Sequence, residues 1–161
     1  MVFVAIAVLF LAGKIPPREL LIELRVIRSS LGCLVQAFDP DSISSGLQLQ
    51  VSLENAKKAF ELGENVSDSL ENEFLLHAAG TRKFDLAISR VGVKDTSKFL
   101  LFCDDEAKLK SIAQKLGASV RKFSPTLTAA QAQKIYGIEK EIFQTLSLEQ
   151  AVIEKIALFS D

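Results

Sequence analysis

The first twelve residues of the chain are all apolar and carry no charge. This run is too short to span a bilayer, which needs about 20 apolar residues. It has the length of the apolar core of a signal peptide, but no Lys or Arg precedes it, as an export signal requires. Apolar residues fill both the odd and the even positions, which is typical of a strand covered on both faces. We therefore predict a buried β-strand here rather than an export signal.

Short apolar runs bounded by turn residues predict further strands, and amphipathic spacing with capping residues predicts helices between them. The further strands are expected at residues 33–38, 73–78, 98–103 and, as a short extended piece, 118–122. The first helix is expected through residues 18–25, with Pro16 and Pro17 in its first turn and Gly32 at its end. The others are expected at residues 49–60 with Gly63 as the cap, and at 65–70, 80–92, 105–116, 128–136 and 147–159. Capping boxes are predicted at the start of the last two, Thr128 with Gln131 and Ser147 with Gln150. This interleaved order predicts one α+β domain over residues 1–161, in which a small mixed β-sheet packs with several α-helices.

Composition excludes several classes of metal and disulfide site. The chain has one His, two Cys and no Trp among 161 residues. It therefore lacks the ligands of a multi-His metal centre, a zinc ribbon or a disulfide framework, and we expect no metal and no cofactor. Two cysteines in apolar segments are typical of the reducing cytoplasm, where we place the protein, with no membrane partner.

No catalytic motif is recognisable either. Gly13 and Lys14 lack the flanking residues of a phosphate-binding loop. His77 falls in an apolar predicted strand, and the carboxylates after Cys103 would raise the pKa of its thiol rather than activate it. The acidic residues 104–106 are explained by helix capping. We predict that the protein is not an enzyme.

The charges are distributed unevenly along the chain. Residues 1–80 carry six basic and ten acidic side chains, whereas residues 81–161 carry thirteen basic and ten acidic ones. Between Arg82 and Lys122 there are ten basic and five acidic residues. A chain with a net charge of −1 thus contains a locally basic stretch, which fits either a solvated face or an anion-binding surface.

The junction Gly80-Thr81-Arg82-Lys83 lies at the start of this stretch. A glycine there allows a tight turn, and the threonine is placed to cap a helix. The two cations then stand beside free backbone amides, which attract anions at a helix N-terminus. The sequence predicts a phosphate or carboxylate site here, with an ordinary solvated helix start as the alternative. Arg90 follows Lys83 by seven residues and shares its side of the helix.

The last predicted helix has two apolar stripes. One consists of Leu148, Val152, Ile156 and Phe159, and the other of Leu146, Ile153 and Ala157. The first stripe can pack on the core, whereas the second needs another cover. Either the helix lies deep in its own domain, or it docks on a partner.

Several segments, taken in order, carry a resemblance to a known family. The most specific is Gly80-Thr81-Arg82-Lys83-Phe84-Asp85-Leu86-Ala87-Ile88, followed by Val91-Gly92-Val93. The others lie at residues 38–40, 54–60, 73–77, 133–136 and 148–155. Together they resemble the kinase-binding regulatory subunit family of the KEOPS tRNA-modification complex, represented in animals by the PRPK-binding protein TPRKB. The compact loops resemble the archaeal type, although Lys83 stands where archaeal members often have Gln.

The resemblance implies a non-catalytic subunit of the complex that installs threonylcarbamoyl on an adenosine of ANN-decoding tRNAs. It implies two partners, the kinase-like ATPase subunit and the 3′ CCA end of tRNA, and we expect the isolated chain to be a monomer. The tRNA site would be lined by Thr81, Arg82, Lys83 and Arg90, with Lys57 and Lys58 as neighbours. The ATPase subunit would bind the last helix through Leu146, Ile153, Ile156, Ala157 and Phe159.

Two alternatives stay open from the sequence. In the first, the protein is a purely structural adaptor that docks on the ATPase subunit and stimulates it without binding RNA. In the second, it is a small enzyme that uses His77 or Cys103.

Overall fold

The structure, a computed structural model, describes residues 5–11, 13 and 15–160. Its helices and its sheet confirm the predicted α+β class. The described residues form two compact units. One holds the residues up to Pro40 together with Val93–Ser124, and the other holds Asp41–Gly92 with the residues from Pro125 onward. That residues 1–161 act as one domain stays a prediction.

The first unit contains the β-sheet. Its strands are β1 (Ala5–Phe10), β2 (Val35–Phe38), β3 (Lys98–Cys103) and β4 (Ser119–Lys122). They lie in the order β2-β3-β1-β4, and every pair is antiparallel. The prediction of a mixed sheet is therefore wrong, because strand direction depends on where long connections re-enter the sheet, which apolar spacing does not specify.

One face of this sheet packs on two helices, α1 (Pro17–Leu31) and α5 (Glu106–Leu116). Leu20 and Leu24 of α1 and Ile112 of α5 are buried there. In β1, the neighbours Val8 and Leu9 are both buried, although they point to opposite faces. The predicted strand with two covered faces is thus confirmed over Ala5–Phe10, while residues 1–4 and 12 of the apolar run lie outside the described residues.

The second unit is built from helices. Its α-helices are α2 (Gly46–Leu62), α3 (Leu70–Ala79), α4 (Phe84–Val91), α6 (Ala129–Tyr136) and α7 (Leu148–Ala157), with a 3-10 turn at Lys140–Gln144. Both predicted capping boxes are confirmed: Thr128 with Gln131 begins α6, and Ser147 with Gln150 begins α7. In each box, two backbone amides at the helix start gain side-chain acceptors.

Helix α3 includes residues 73–78, where the sequence predicts a strand, so that prediction is wrong. The short helix predicted at residues 65–70 is wrong as well, because α3 begins only at Leu70. Residues 66–69 form bends, and the hydroxyl of Ser69 accepts the backbone N–H of Asn72 at the start of α3. From Glu73 to Ala79 every residue is buried. A helix without a polar face has no amphipathic period, so its sequence resembles that of a buried strand.

Gln48 connects three helices of the second unit. Its amide nitrogen donates to the carbonyl of Ala78 at 3.0 Å and to the hydroxyl of Tyr136 at 2.8 Å. Its amide oxygen accepts the backbone N–H and the hydroxyl of Ser44, each at 2.8 Å. Gln48 is fully buried, so this network fixes α2 against α3 and α6 with its polar atoms satisfied.

In the part of the chain that the structure describes, no helix combines the length and the apolar character needed to cross a bilayer.

Candidate functional site

The end of α3 lies unusually close to α7. Gly80 ends α3 in a left-handed conformation (φ 70°), and a Cβ at this position would lie 2.7 Å from the Cα of Ile156. The next residue, Thr81, is fully buried and forms a parallel bridge with Ser160. Its hydroxyl accepts the backbone N–H of Lys83 at 3.2 Å. The segment 80–83 is thus fixed against the end of the chain by its backbone.

Phe159 lies at the centre of this junction. Its backbone has φ 43°, a conformation that is unusual for a bulky residue. On one side its ring stacks on His77, with centroids 3.8 Å apart and an angle of 11° between the planes. The guanidinium of Arg82 lies 5.5 Å from the centroid of the same ring, within the range of a cation–π interaction. Phe159 therefore supports an exposed cation from below.

Glu73 and His77 form a buried pair beneath this stack. Oε1 of Glu73 lies 3.3 Å from Nε2 of His77, one helical turn away. Oε2 of Glu73 accepts the backbone N–H groups of Val66 and Ser67 at 3.0 and 2.8 Å. Burial lowers the pKa of His77, the Glu73 carboxylate opposes this, and the charge of Arg82 adds to the lowering.

A surface pocket of about 290 Å³ opens beside Arg82. Arg82 and Phe84 line it together with residues of the 66–68 turn and the outer side of α3. The lining residues are Val66, Ser67, Asp68, Asn72, Leu76, Arg82 and Phe84. The ring of Phe84 is 42% exposed, so the pocket offers an aromatic surface next to a cation. Asp68 also lines the pocket, and its negative charge disfavours a phosphate on that side of the pocket.

The structure separates the residues predicted to bind tRNA into two groups. Arg82 and Lys83 are exposed, with Lys83 as the N-cap of α4, whereas Thr81 is inside the protein. Arg90 turns inward, because its Nη1 donates to the carbonyl of Ala79 at 3.0 Å, and burial lowers the pKa of its guanidinium. The helix predicted from Gly80 begins at Phe84 instead, because Gly80 is in a left-handed turn, Thr81 is bridged to Ser160 and Lys83 is the extended N-cap.

The two remaining candidates for tRNA binding are not among the residues that line the pocket beside Arg82. Lys57 and Lys58 are exposed in the second half of α2.

The residues predicted to bind a partner are likewise divided. Ile156 is 2% exposed and packs on Gly80, which takes it out of any exposed surface, and Phe159 stacks on His77. Leu146 and Ile153 are half-buried, and Ala157 is exposed.

An apolar groove of about 300 Å³ runs along the outer side of α7. It is lined by Gly137, Ile138, Glu139, Ile142, Ala151, Glu154, Lys155 and Leu158. Ile142 and Leu158 are the most exposed of its apolar residues, at 39% and 68%. Neither is among the predicted residues, because Leu158 falls outside both apolar stripes and Ile142 precedes the helix.

Glu73 and Phe84 are also parts of the site, although the sequence does not predict either of them there. The signal for Glu73 is a glutamate and a histidine four residues apart in an apolar run. This spacing brings two side chains into contact on a helix but not along a strand. The helical spacing predicts Phe84 on the same apolar face as Ala87 and Val91, and only those two are buried. Its exposure follows from its place at the first position of α4, beside the pocket.

A family model described as "Kinase binding protein CGI-121" matches residues 19–160. The match includes α3, the segment 80–83, α4 and α7, and therefore all of the site. This chain belongs to the CGI-121 family of kinase-binding proteins. A comparison with curated proteins gave no match.

Membership of the CGI-121 family confirms the predicted family and the kinase-binding class of function. The archaeal type stays a prediction. The match begins within α1, so β1 is the one strand of the sheet that precedes it. The Glu73–His77 pair, Arg82 and Phe159 all lie inside the matched range.

Proposed function

We propose that this chain is a non-catalytic subunit of a KEOPS-type complex, which modifies ANN-decoding tRNAs with threonylcarbamoyl in the cytoplasm. In this proposal it docks on the kinase-like ATPase subunit and recruits tRNA through the 3′ CCA end. Membership of the CGI-121 family supports the first role. The second role depends on the surface around Arg82.

The observation that carries the tRNA proposal is the exposed Arg82 held over Phe159 at the edge of a pocket. A single-stranded RNA end presents phosphates to cations and unstacked bases to aromatic rings and apolar walls. Arg82 supplies the cation and Phe84 supplies the ring. Asn72 adds an amide that can donate to and accept from the edge of a base.

Within this proposal the predicted tRNA residues have different roles. Arg82 and Lys83 contact the RNA, because their side chains are exposed. Thr81 and Arg90 position them: Thr81 fixes the backbone before Lys83, and Arg90 holds the carbonyl end of α3. Lys57 and Lys58 do not line the pocket, and in this proposal they are additional exposed cations on α2.

The ATPase subunit would dock on the apolar groove of α7. Exposed Leu158 and Ile142 supply the apolar contact, while Glu154 and Lys155 supply a polar rim. Stable protein interfaces combine an apolar centre with polar groups around it. Leu146, Ile153 and Ala157 do not line this groove. In this proposal they contact the ATPase subunit beside the groove, and buried Ile156 supports the helix from within.

The experiment that tests the tRNA role is a binding titration of the purified chain with tRNA that carries or lacks the CCA end. We expect the intact tRNA to bind more tightly, and Arg82→Glu to weaken its binding about tenfold or more, since a charge-assisted contact is worth about 1.5–3 kcal/mol. Arg82→Ala should reduce the slope of log K against log salt by about 0.7, the value for one phosphate of a single strand.

The matched control is Arg25→Glu, the same charge reversal at an exposed arginine of α1. It should leave tRNA binding unchanged. Equal affinities for both tRNAs and for Arg82→Glu would contradict the tRNA role and favour the structural adaptor, in which only docking on the ATPase subunit matters.

A further inference from the structure

The two cysteines of the chain meet in the first unit, although 70 residues separate them. Cys33 lies between the end of α1 and strand β2, and Cys103 is the last residue of β3. In the antiparallel pairing Val35 stands opposite Cys103. Cys33, two residues before Val35, therefore shares the face of the sheet with Cys103.

A carboxylate completes this cluster. The sulfur atoms of Cys33 and Cys103 and a carboxylate oxygen of Asp104 all lie within 4.8 Å of one another. Cys103 is fully buried, Cys33 is 6% exposed, and Asp104 is half-buried at the surface end.

Backbone amides hold these side chains in place. Oδ1 of Asp104 accepts the N–H of Leu34 at 3.2 Å, so the residue after Cys33 fixes the carboxylate. The thiol of Cys103 donates to the same Oδ1 at 4.0 Å, and the backbone of Asp105 partly offsets the effect of burial on the pKa of this thiol. Such outer hydrogen bonds orient the ligands of metal sites.

We propose that Cys33, Cys103 and Asp104 form a binding site for a divalent cation of the zinc class. Two thiolates and one carboxylate form a ligand set that Zn²⁺ accepts, with about 2.3 Å to sulfur and about 2.0–2.2 Å to oxygen. A tetrahedral ion with these bond lengths needs donor atoms about 3.5–3.8 Å apart. The cluster reaches that spacing by closing up by about 1 Å around the ion.

The site has an entrance from solvent. Asp104 also lines a surface pocket of about 570 Å³ together with Asp105, Glu106, Ala107 and Lys110. An ion enters from this pocket past Asp104 and reaches the two sulfur atoms behind it. Water from the pocket fills the fourth position, as in zinc sites with three protein ligands.

Without a cation the two thiols stay neutral. Burial raises the pKa of Cys103 to about 12 and also raises the pKa of Cys33, where the hydrogen bond with Cys103 and then the charge of Lys108 partly oppose the shift. Binding of the ion displaces both thiol protons to solvent and leaves two metal–thiolate bonds. The bound ion joins the start of β2 to the end of β3.

The test is a titration of the reduced full-length chain with Co²⁺, which reports thiolate ligands by a charge-transfer band. We expect one Co²⁺ per chain, with a band that Zn²⁺ removes by displacement. Cys33→Ser and Cys103→Ser should each abolish the band, and Asp104→Asn should weaken binding about 10–100-fold. Glu106→Gln, an acidic neighbour in the same pocket but outside the cluster, should bind as the wild type does.

A second readout uses the wild type alone and so does not depend on the folding of Cys103→Ser. Modification of the thiols of the Zn²⁺-loaded chain with an organomercurial should release the Zn²⁺ in proportion to the thiols modified. Absence of the charge-transfer band, or a band that survives both serine variants, would overturn the proposal. Formation of a Cys33–Cys103 disulfide in air with no metal binding by the reduced chain would overturn it as well.

Discussion

Gly80 is the residue on which the geometry of the site depends most. Its φ of 70° is easily adopted only by glycine, and its missing side chain lets the backbone of α7 approach. An added Cβ would meet the Cα of Ile156 at 2.7 Å, and this atom can move only with its helix. Gly80 thus permits both the turn into segment 80–83 and the contact with α7.

We expect Gly80→Ala to lower the free energy of unfolding by about 2–4 kcal/mol, since overpacking adds to the backbone penalty. Urea unfolding measures this. Gly137→Ala is the matched control, because Gly137 has φ 67° but nothing within 4 Å of an added Cβ. It should cost only about 1 kcal/mol. Equal losses in the two variants would show that the approach of α7 does not constrain Gly80.

His77 connects the buried carboxylate of Glu73 to the exposed end of the site. It is the only histidine of the chain, so a change of stability between pH 7.5 and 5.5 that depends on histidine belongs to it. Its side chain is 10% exposed and lies between Glu73 and the ring of Phe159. Burial disfavours the protonated imidazole and so lowers the pKa of His77, the Glu73 carboxylate opposes this, and the charge of Arg82 adds to the lowering.

Because the pKa of His77 is lower in the folded chain than its ordinary 6.5, the unfolded chain takes up the proton first as the pH falls. The wild type should be fully stabilised by this residue above pH 6.5 and lose stability below it, by at most about 1.4 kcal/mol per pH unit. His77→Gln should lack this loss. Urea unfolding at pH 7.5 and 5.5 measures both, and identical pH dependence would show that His77 does not titrate differently on folding.

At the scale of elements, local signals predict most of the fold. The proline that begins α1, the glycine that ends it and the two capping boxes act within one turn of backbone, and all are confirmed. Helix α3 shows the limit of this reasoning. Its seven buried residues are covered by neighbouring helices, and a sequence pattern does not reveal which segments will be covered in this way. Strand direction in the sheet is undetermined for the same reason.

The exposed side of α7 gives the prediction that belongs to this scale. Leu158 is 68% exposed at the end of the groove, so Leu158→Glu should change the free energy of unfolding by less than about 0.5 kcal/mol. Its binding to the kinase-like ATPase subunit should weaken about tenfold or more, because a charge would be buried in an apolar contact. Calorimetry or surface plasmon resonance measures the affinity.

Leu62→Glu is the control for this variant, since Leu62 is 70% exposed at the end of α2. It should bind the ATPase subunit like the wild type. A loss of affinity in Leu62→Glu but not in Leu158→Glu would place the docking surface on α2 instead.

At the scale of the whole molecule, the sequence predicts where the site begins but not how it is held. The basic stretch and the ordered segments lead to Arg82 and Lys83, and both are exposed. The support for Arg82 comes from Phe159, 77 residues later, and the support for Phe159 comes from His77. Contacts at that distance arise from tertiary packing, which is why the sequence alone predicts Phe159 at a partner contact and His77 in an apolar strand.

If Phe159 acts on tRNA by holding Arg82, the two residues must be coupled in binding. Arg82→Ala and Phe159→Ala should each weaken tRNA binding, and the double variant should be little weaker than Arg82→Ala alone. The coupling free energy should be about 0.5–1 kcal/mol, as for an exposed cation–π pair.

The control is the pair of Phe10 and Arg121, whose guanidinium lies 4.9 Å from the ring centroid in the first unit. Its own cycle should show no coupling in tRNA binding, because that contact is part of no RNA site. Strictly additive losses for Arg82 and Phe159 would mean that the stack only stabilises the end of the chain.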